Sequence, residues 1–204
     1  MNVSLSSFYE MHESTLAVDA ENPLFRKATS NMIAAYTVCE KALRALTPDQ
    51  KKSVSLIVST QFGEVSSTLE FLTTFYDSKI AKPILFQNSL HNSTLGFVSI
   101  QLNLTGPALT LSADERINEA LAETAAGLLS LTDHVLVCQV DMVPDFVKEN
   151  YAVAYPHLKD HLGWARAFLI SKSSALLPAR SVPKDLFEFK YTQEFTQLRS
   201  LADV

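Results

Sequence analysis

Ile117-Asn118-Glu119-Ala120-Leu121-Ala122-Glu123-Thr124-Ala125-Ala126-Gly127-Leu128-Leu129-Ser130-Leu131, followed at once by Val135-Leu136-Val137-Cys138-Gln139-Val140, sets a helix pattern against a strand pattern. Ile117, Ala120, Leu121, Thr124, Ala125, Leu128 and Leu129 recur at helical spacing and form a wide apolar stripe. The run 135–140 is apolar toward both sides, as a strand is when helices cover both faces of its sheet. Together they predict a layered α/β domain, with 135–140 as a central strand and the helix before it largely buried.

Working outward, Ala108 to Ser112 is a short strand, expected beside 135–140 at the centre of the sheet. Asn92 to Leu102 and Ser66 to Tyr76 read as helices, the second with Leu69, Leu72, Phe75 and Tyr76 on one side. Lys82-Pro83 breaks the chain between them. Val54 to Ser59 is a β-branched strand. Asn22-Pro23 is a helix start, so one helix is predicted from Leu24 to Leu46, ended by Thr47-Pro48-Asp49. Val3 to Phe8 is a first strand and Gly163 to Ser171 a last one.

The 204 residues suffice for one domain with a sizeable core, and 47% hydrophobic against 19% charged residues is ordinary for a globular chain. Net charge is −5 and no basic cluster exceeds Lys51-Lys52, so nucleic-acid binding has little electrostatic support. Cys39 and Cys138 each sit in an apolar segment and read as two buried free thiols. Glu10, Glu13 and Asp19 argue against a signal peptide, and no apolar run is long enough to span a bilayer. A cytoplasmic protein is the expectation. Nucleotide loops of the G-x-G-x-x-G or Walker type and the G-x-S-x-G elbow are absent. His157 and His161 stand at i, i+4 spacing without an intervening glutamate or an evident third ligand, so neither metal nor cofactor is expected.

The stretch Gly106-Pro107-Ala108-Leu109-Thr110-Leu111-Ser112-Ala113-Asp114-Glu115 has a rhythm of its own: a Gly-Pro turn, a short strand, then a helix start. It is similar to the active-site approach of a β-ketoacyl synthase, whose cysteine stands about eight residues after the proline. Glu115 occupies that place. Four further pieces in the same order resemble that family. They are Ser59-Thr60-Gln61-Phe62-Gly63-Glu64, then Lys82-Pro83-Ile84-Leu85-Phe86 with Asn88-Ser89-Leu90-His91-Asn92 and Gly96-Phe97-Val98-Ser99-Ile100, then Asp141-Met142-Val143-Pro144, and last Ala165-Arg166-Ala167-Phe168-Leu169-Ile170. The resemblance runs from about Leu24 to Ser171. It is to the short standalone ketosynthase-like proteins often described as chain-length factors, associated with aryl polyene, fatty-acid or polyketide-type biosynthesis.

This resemblance implies a thiolase-like half-domain over residues 1–175, with a mixed sheet layered by helices. Residues 176–204 would then be an extension packing on it or on a partner. It further implies a non-catalytic subunit acting with a ketosynthase or an acyl carrier protein. The alternatives are a condensing or decarboxylating enzyme completed by a partner chain, and a homodimeric binding module. A thiolate needs a cysteine at a helix mouth, and Glu115 offers none. Asp114 and Glu115 have two readings: an N-cap with a first-turn acid favoured by the helix dipole, or an acid presented to a partner's site. His91 and Asn92 either cap the following helix through side-chain bonds or shape an acyl- or partner-facing surface. Gly106 and Pro107 are the structural turn. A homo- or hetero-oligomer is expected, because a half-fold leaves apolar surface that one chain does not cover.

Overall fold

The computed structural model describes residues 3–16, 22–112, 117–154 and 162–172. Five strands form one sheet: β1 (Val3–His12), β2 (Ser55–Ser59), β3 (Ala108–Leu111), β4 (His134–Val140) and β5 (Trp164–Lys172), in the order β1-β5-β4-β2-β3. β2 runs parallel to both β3 and β4, while β5 is antiparallel to β4 and to β1. The mixed, helix-layered sheet follows the expectation. β4 is its middle strand, buried along all but its first residue. β3 is not central: among the described residues it pairs only with β2 and forms the edge. Strand order depends on where distant segments dock, which the local pattern of 108–112 does not carry.

The sheet has a covered face on each side. Against one pack α1 (Ser30–Ala42) and α5 (Ser93–Gln101), closing a core of Ala35, Val38, Leu56, Val58, Leu136 and Leu169. Against the other packs α6 (Ile117–Leu131), which buries Leu121, Ala125 and Leu129 on Ile57, Val137 and Phe168. Alternation along β2 and β4 sends successive side chains to the two cores. Burial of α6 is one-sided, not general: Leu131 and Ser130 lie exposed. Cys39 and Cys138 are buried free thiols, as expected.

The first long helix starts later than Asn22-Pro23 suggests. Asn22 closes a turn, its Oδ1 accepting from Leu24 N at 3.0 Å and its carbonyl from Phe25 N at 2.9 Å. The cap is Thr29, whose Oγ1 accepts from Met32 N at 3.1 Å. Both sites have capping chemistry, and the tertiary bonds of Thr29 described below decide between them. Thr47-Pro48 does not end that helix but opens α2 (Pro48–Lys52), with a reciprocal Thr47–Gln50 capping box. α3 (Val65–Ser78) ends on Lys79 in the left-handed region at φ 57°. Pro83 starts the short α4 (Pro83–Asn88), so the break at Lys82-Pro83 is also a helix start. α7 (Asp145–Ala154) precedes β5. Residues 176–204, His157 and His161 lie outside the described residues.

Candidate functional site

In open α/β sheets, sites form outside the carboxyl ends of the parallel strands. Here those ends belong to β2, β3 and β4, and the loops leaving β2 and β4 are tied into one polar network. The turn after β2 is Thr60-Gln61-Phe62-Gly63-Glu64. Asp141, just past β4, accepts from Thr60 Oγ1 at 2.7 Å and from the Gln61 and Phe62 amides at 3.0 Å each. Gly63 N donates in turn to Thr60 Oγ1 at 2.8 Å. Asn31, in the first turn of α1, ties both loops: its Nδ2 donates to Gly63 O at 2.6 Å, and its Oδ1 accepts from Met142 N at 2.7 Å.

Glu64 completes the arrangement. It is buried, and its Oε1 accepts from Thr29 Oγ1 at 3.1 Å and from Thr94 Oγ1 of α5. Thr29 therefore caps α1 and holds Glu64 with one hydroxyl. Burial raises the Glu64 pKa, the two threonine bonds opposing it. Asp141 is pushed up to about 6 by desolvation, against the pull of its donors and the nearby charge of His91. Burial outweighs hydrogen bonding at both carboxyls.

His91 and Asn92 part company. The exposed His91 lies over Gly63, where an added Cβ would stand 2.5 Å from its Nδ1. Gly63 also has φ +57°, a conformation that favours glycine, and a side chain there would have to displace the exposed His91 ring. Asn92 occupies the N-cap position of α5, yet its side chain makes no cap bond. Side-chain capping by Asn92, expected from sequence, is thus not found. The backbone there takes φ −94° and ψ 7°, not the extended geometry of a side-chain cap. Asn92 instead lines a groove of ≈ 530 Å³ between the 22–28 turn and the α4–α5 pair, with Leu24, Arg26, Lys27, Met32 and Phe97. Asn88 Nδ2 bonds Lys27 O at 3.0 Å across it.

Gly106 and Pro107 sit at the opposite, amino end of β3. A Cβ on Gly106 would collide with the Val54 carbonyl, and Pro107 O accepts from Leu56 N at 2.9 Å, which sets the register of β3 on β2. Asp114 and Glu115 lie outside the described residues. No group of three potential metal ligands exists among the described residues. Neither thiol serves this end of the sheet. Cys39 and Cys138 lie fully buried, and Cys39 is raised well above its ordinary value by burial and by contact with Cys138.

The network gathers residues quoted separately from sequence: Thr60, Gly63, Glu64, His91 and Asp141. Sequence reading missed Thr29 and Asn31. Running one helix from Leu24 hid the first turn of α1, and a T-S-N-M cap signal was there to be found.

Comparison with known proteins agrees with this geometry. No curated protein matches the sequence. Among solved structures, the chain is similar to one in a complex of a ketosynthase with its chain length factor from Xenorhabdus doucetiae. That match has a TM-score of 0.64 at 16% identity and covers 85% of this chain and 80% of that one. It is also similar to a β-ketoacyl synthase from Burkholderia phymatum (0.60, 11% identity, 77% of this chain and 45% of that one). A third likeness is to the ishigamide ketosynthase/chain length factor (0.60, 12% identity, 86% of this chain and 64% of that one). At such identities the likeness shows the thiolase-like fold alone, and the chain spans less than two thirds of the latter two. Among the described residues, no helix is long and apolar enough to cross a membrane. The profile of the β-ketoacyl synthase N-terminal domain matches residues 9–198, nearly the whole chain, and the protein belongs to that family.

Proposed function

We propose that this chain is a non-catalytic ketosynthase-like subunit of the chain-length-factor kind. It works with a ketosynthase, and through it with an acyl carrier protein, in fatty-acid, aryl polyene or polyketide-type biosynthesis. One observation carries the reading: the position eight residues after Pro107 is Glu115, and the only two cysteines, Cys39 and Cys138, are sealed in the core. A carboxylate there cannot form the acyl thioester on which condensation depends. The solved chains of similar fold include members of ketosynthase–chain length factor complexes and of an acyl-carrier-protein complex, which supports the choice of partner. The polar network then has a structural task. It fixes the 60–64 and 141–144 loops and seats His91 over Gly63, giving the carboxyl edge a set shape without a nucleophile of its own.

The test is reconstitution. The tagged chain is purified from its own host, the ketosynthase that accompanies it is identified by peptide mass, and both are then purified separately and recombined. A stable complex, with condensation rate or product length that depends on this chain, is expected. Failure of every ketosynthase from that host to associate contradicts the reading.

A further inference from the structure

We propose that the groove between the 22–28 turn and the α4–α5 pair binds an aliphatic chain that ends in a carboxylate. This gives the chain a small-molecule ligand of its own and does not depend on its pairing with a ketosynthase. The groove holds ≈ 530 Å³, within the range of sites that enclose a small organic molecule. Its apolar lining is Leu24, Met32, Ile84, Leu90, Phe97 and Ile100. Ser93, Gly96, Phe97 and Ile100 recur at helical spacing, so one face of α5 makes the floor over about 10 Å. A methylene chain laid along that face leaves water for apolar surface. Gly96 is the second observation. Gly63, Gly106 and Gly163 are each crowded by neighbouring atoms, whereas a Cβ on Gly96 would meet nothing within 4 Å among the described residues. Glycine inside a helix destabilises it relative to alanine, and no close approach here requires it. What its missing side chain leaves is the middle of the groove.

Charge selects the head group. Arg26 and Lys27 line the groove, and among the described residues no acidic side chain does so. Neither cation enters an ion pair among the described residues. The planar guanidinium of Arg26 matches a carboxylate, and Lys27 adds a second positive charge beside it. The other polar residues of the lining, Asn88 and Asn92 among them, are uncharged. A cationic ligand meets repulsion there and a plain hydrocarbon leaves both charges unanswered. A carboxylate pairs with them while its chain covers Gly96.

The experiment titrates the purified full chain with decanoate in a calorimeter, with decanol and decyltrimethylammonium as probes of the head group. Saturable binding of decanoate is expected, with decanol weaker and the ammonium weaker still. Gly96→Leu fills the floor with a side chain that a helix accepts. Ile100→Glu puts a negative charge at its end, and since Ile100 is 75% exposed this second variant keeps the test intact should the first not fold. Thermal unfolding checks both. Each folded variant is expected to bind decanoate at least tenfold more weakly. Arg26→Gln/Lys27→Gln is expected to weaken decanoate at least threefold and to leave decanol unchanged. Absence of saturable decanoate binding, or wild-type-like binding by either folded floor variant, overturns the site. Equal affinity for decanoate and decyltrimethylammonium overturns the head group. These titrations contain no ketosynthase, so this site and the proposed function fail separately.

Discussion

Asp141 accepts from Thr60, Gln61 and Phe62 in a half-buried, poorly hydrated position, and its carboxyl sits near 6 instead of 3.8. The folded state therefore keeps a proton that the unfolded chain has released between pH 4 and pH 6. Stability from this group falls as pH rises through that window and is level above it. The two-unit difference corresponds to at most about 3 kcal/mol, residual solvent contact reducing it. Asp141→Asn retains Oδ1, the atom that accepts all three donors. Its urea midpoint is expected to change less between pH 4 and pH 6 than that of wild type. Glu64, raised in the same direction, leaves part of the slope in place. Asp141→Ala deprives three donors of their acceptor, and an unfolding free energy lower by roughly 2–4 kcal/mol is expected at pH 7. At Gly63, any side chain meets both a left-handed backbone and the His91 ring. Gly63→Ala should cost about 1–2 kcal/mol and shift the His91 ring resonances in NMR spectra.

Among elements, α1 shows how local and tertiary signals combine. Thr29 caps it and donates to Glu64. Thr29→Ala should lower stability by about 1–2 kcal/mol, as loss of a cap does, and raise the Glu64 pKa further by removing a donor. A chemical-denaturation series across mildly acidic pH measures both. The elements that sequence made legible were those with a strong local pattern: β4 from its uninterrupted apolar run, and α6 from Leu121, Ala125 and Leu129 at helical spacing. The start of α1 was not legible, because Asn22 and Thr29 both offer a capping oxygen and the choice depends on Glu64, thirty-five residues from Thr29. Edge placement of β3 was hidden for a similar reason, since nothing in Ala108–Leu111 encodes which strand lies beyond it. The stripe on α3 was legible as a stripe; that Leu72, Phe75 and Tyr76 lie exposed among the described residues was not.

At the scale of the molecule, two cores share one sheet, and β4 joins them with side chains on both faces. Leu136→Ala removes a fully buried side chain beneath α1, and a loss of about 2–5 kcal/mol is expected, against less than ~0.5 kcal/mol for Tyr76→Ala at an exposed position of α3. That contrast separates a side chain that holds the core from one that does not. The family reading was legible because short motifs survive in order from 59 to 170, and the match over 9–198 agrees. Their convergence on Asp141, Gly63 and Glu64 was not, since the bonds join loops some eighty residues apart. The central claim is that this chain shapes condensation without carrying the acyl group. Intact-mass measurement of the reconstituted pair after exposure to an acyl thioester tests it most directly. An acyl adduct on the ketosynthase and none on this chain is the predicted result; an adduct on this chain would contradict it.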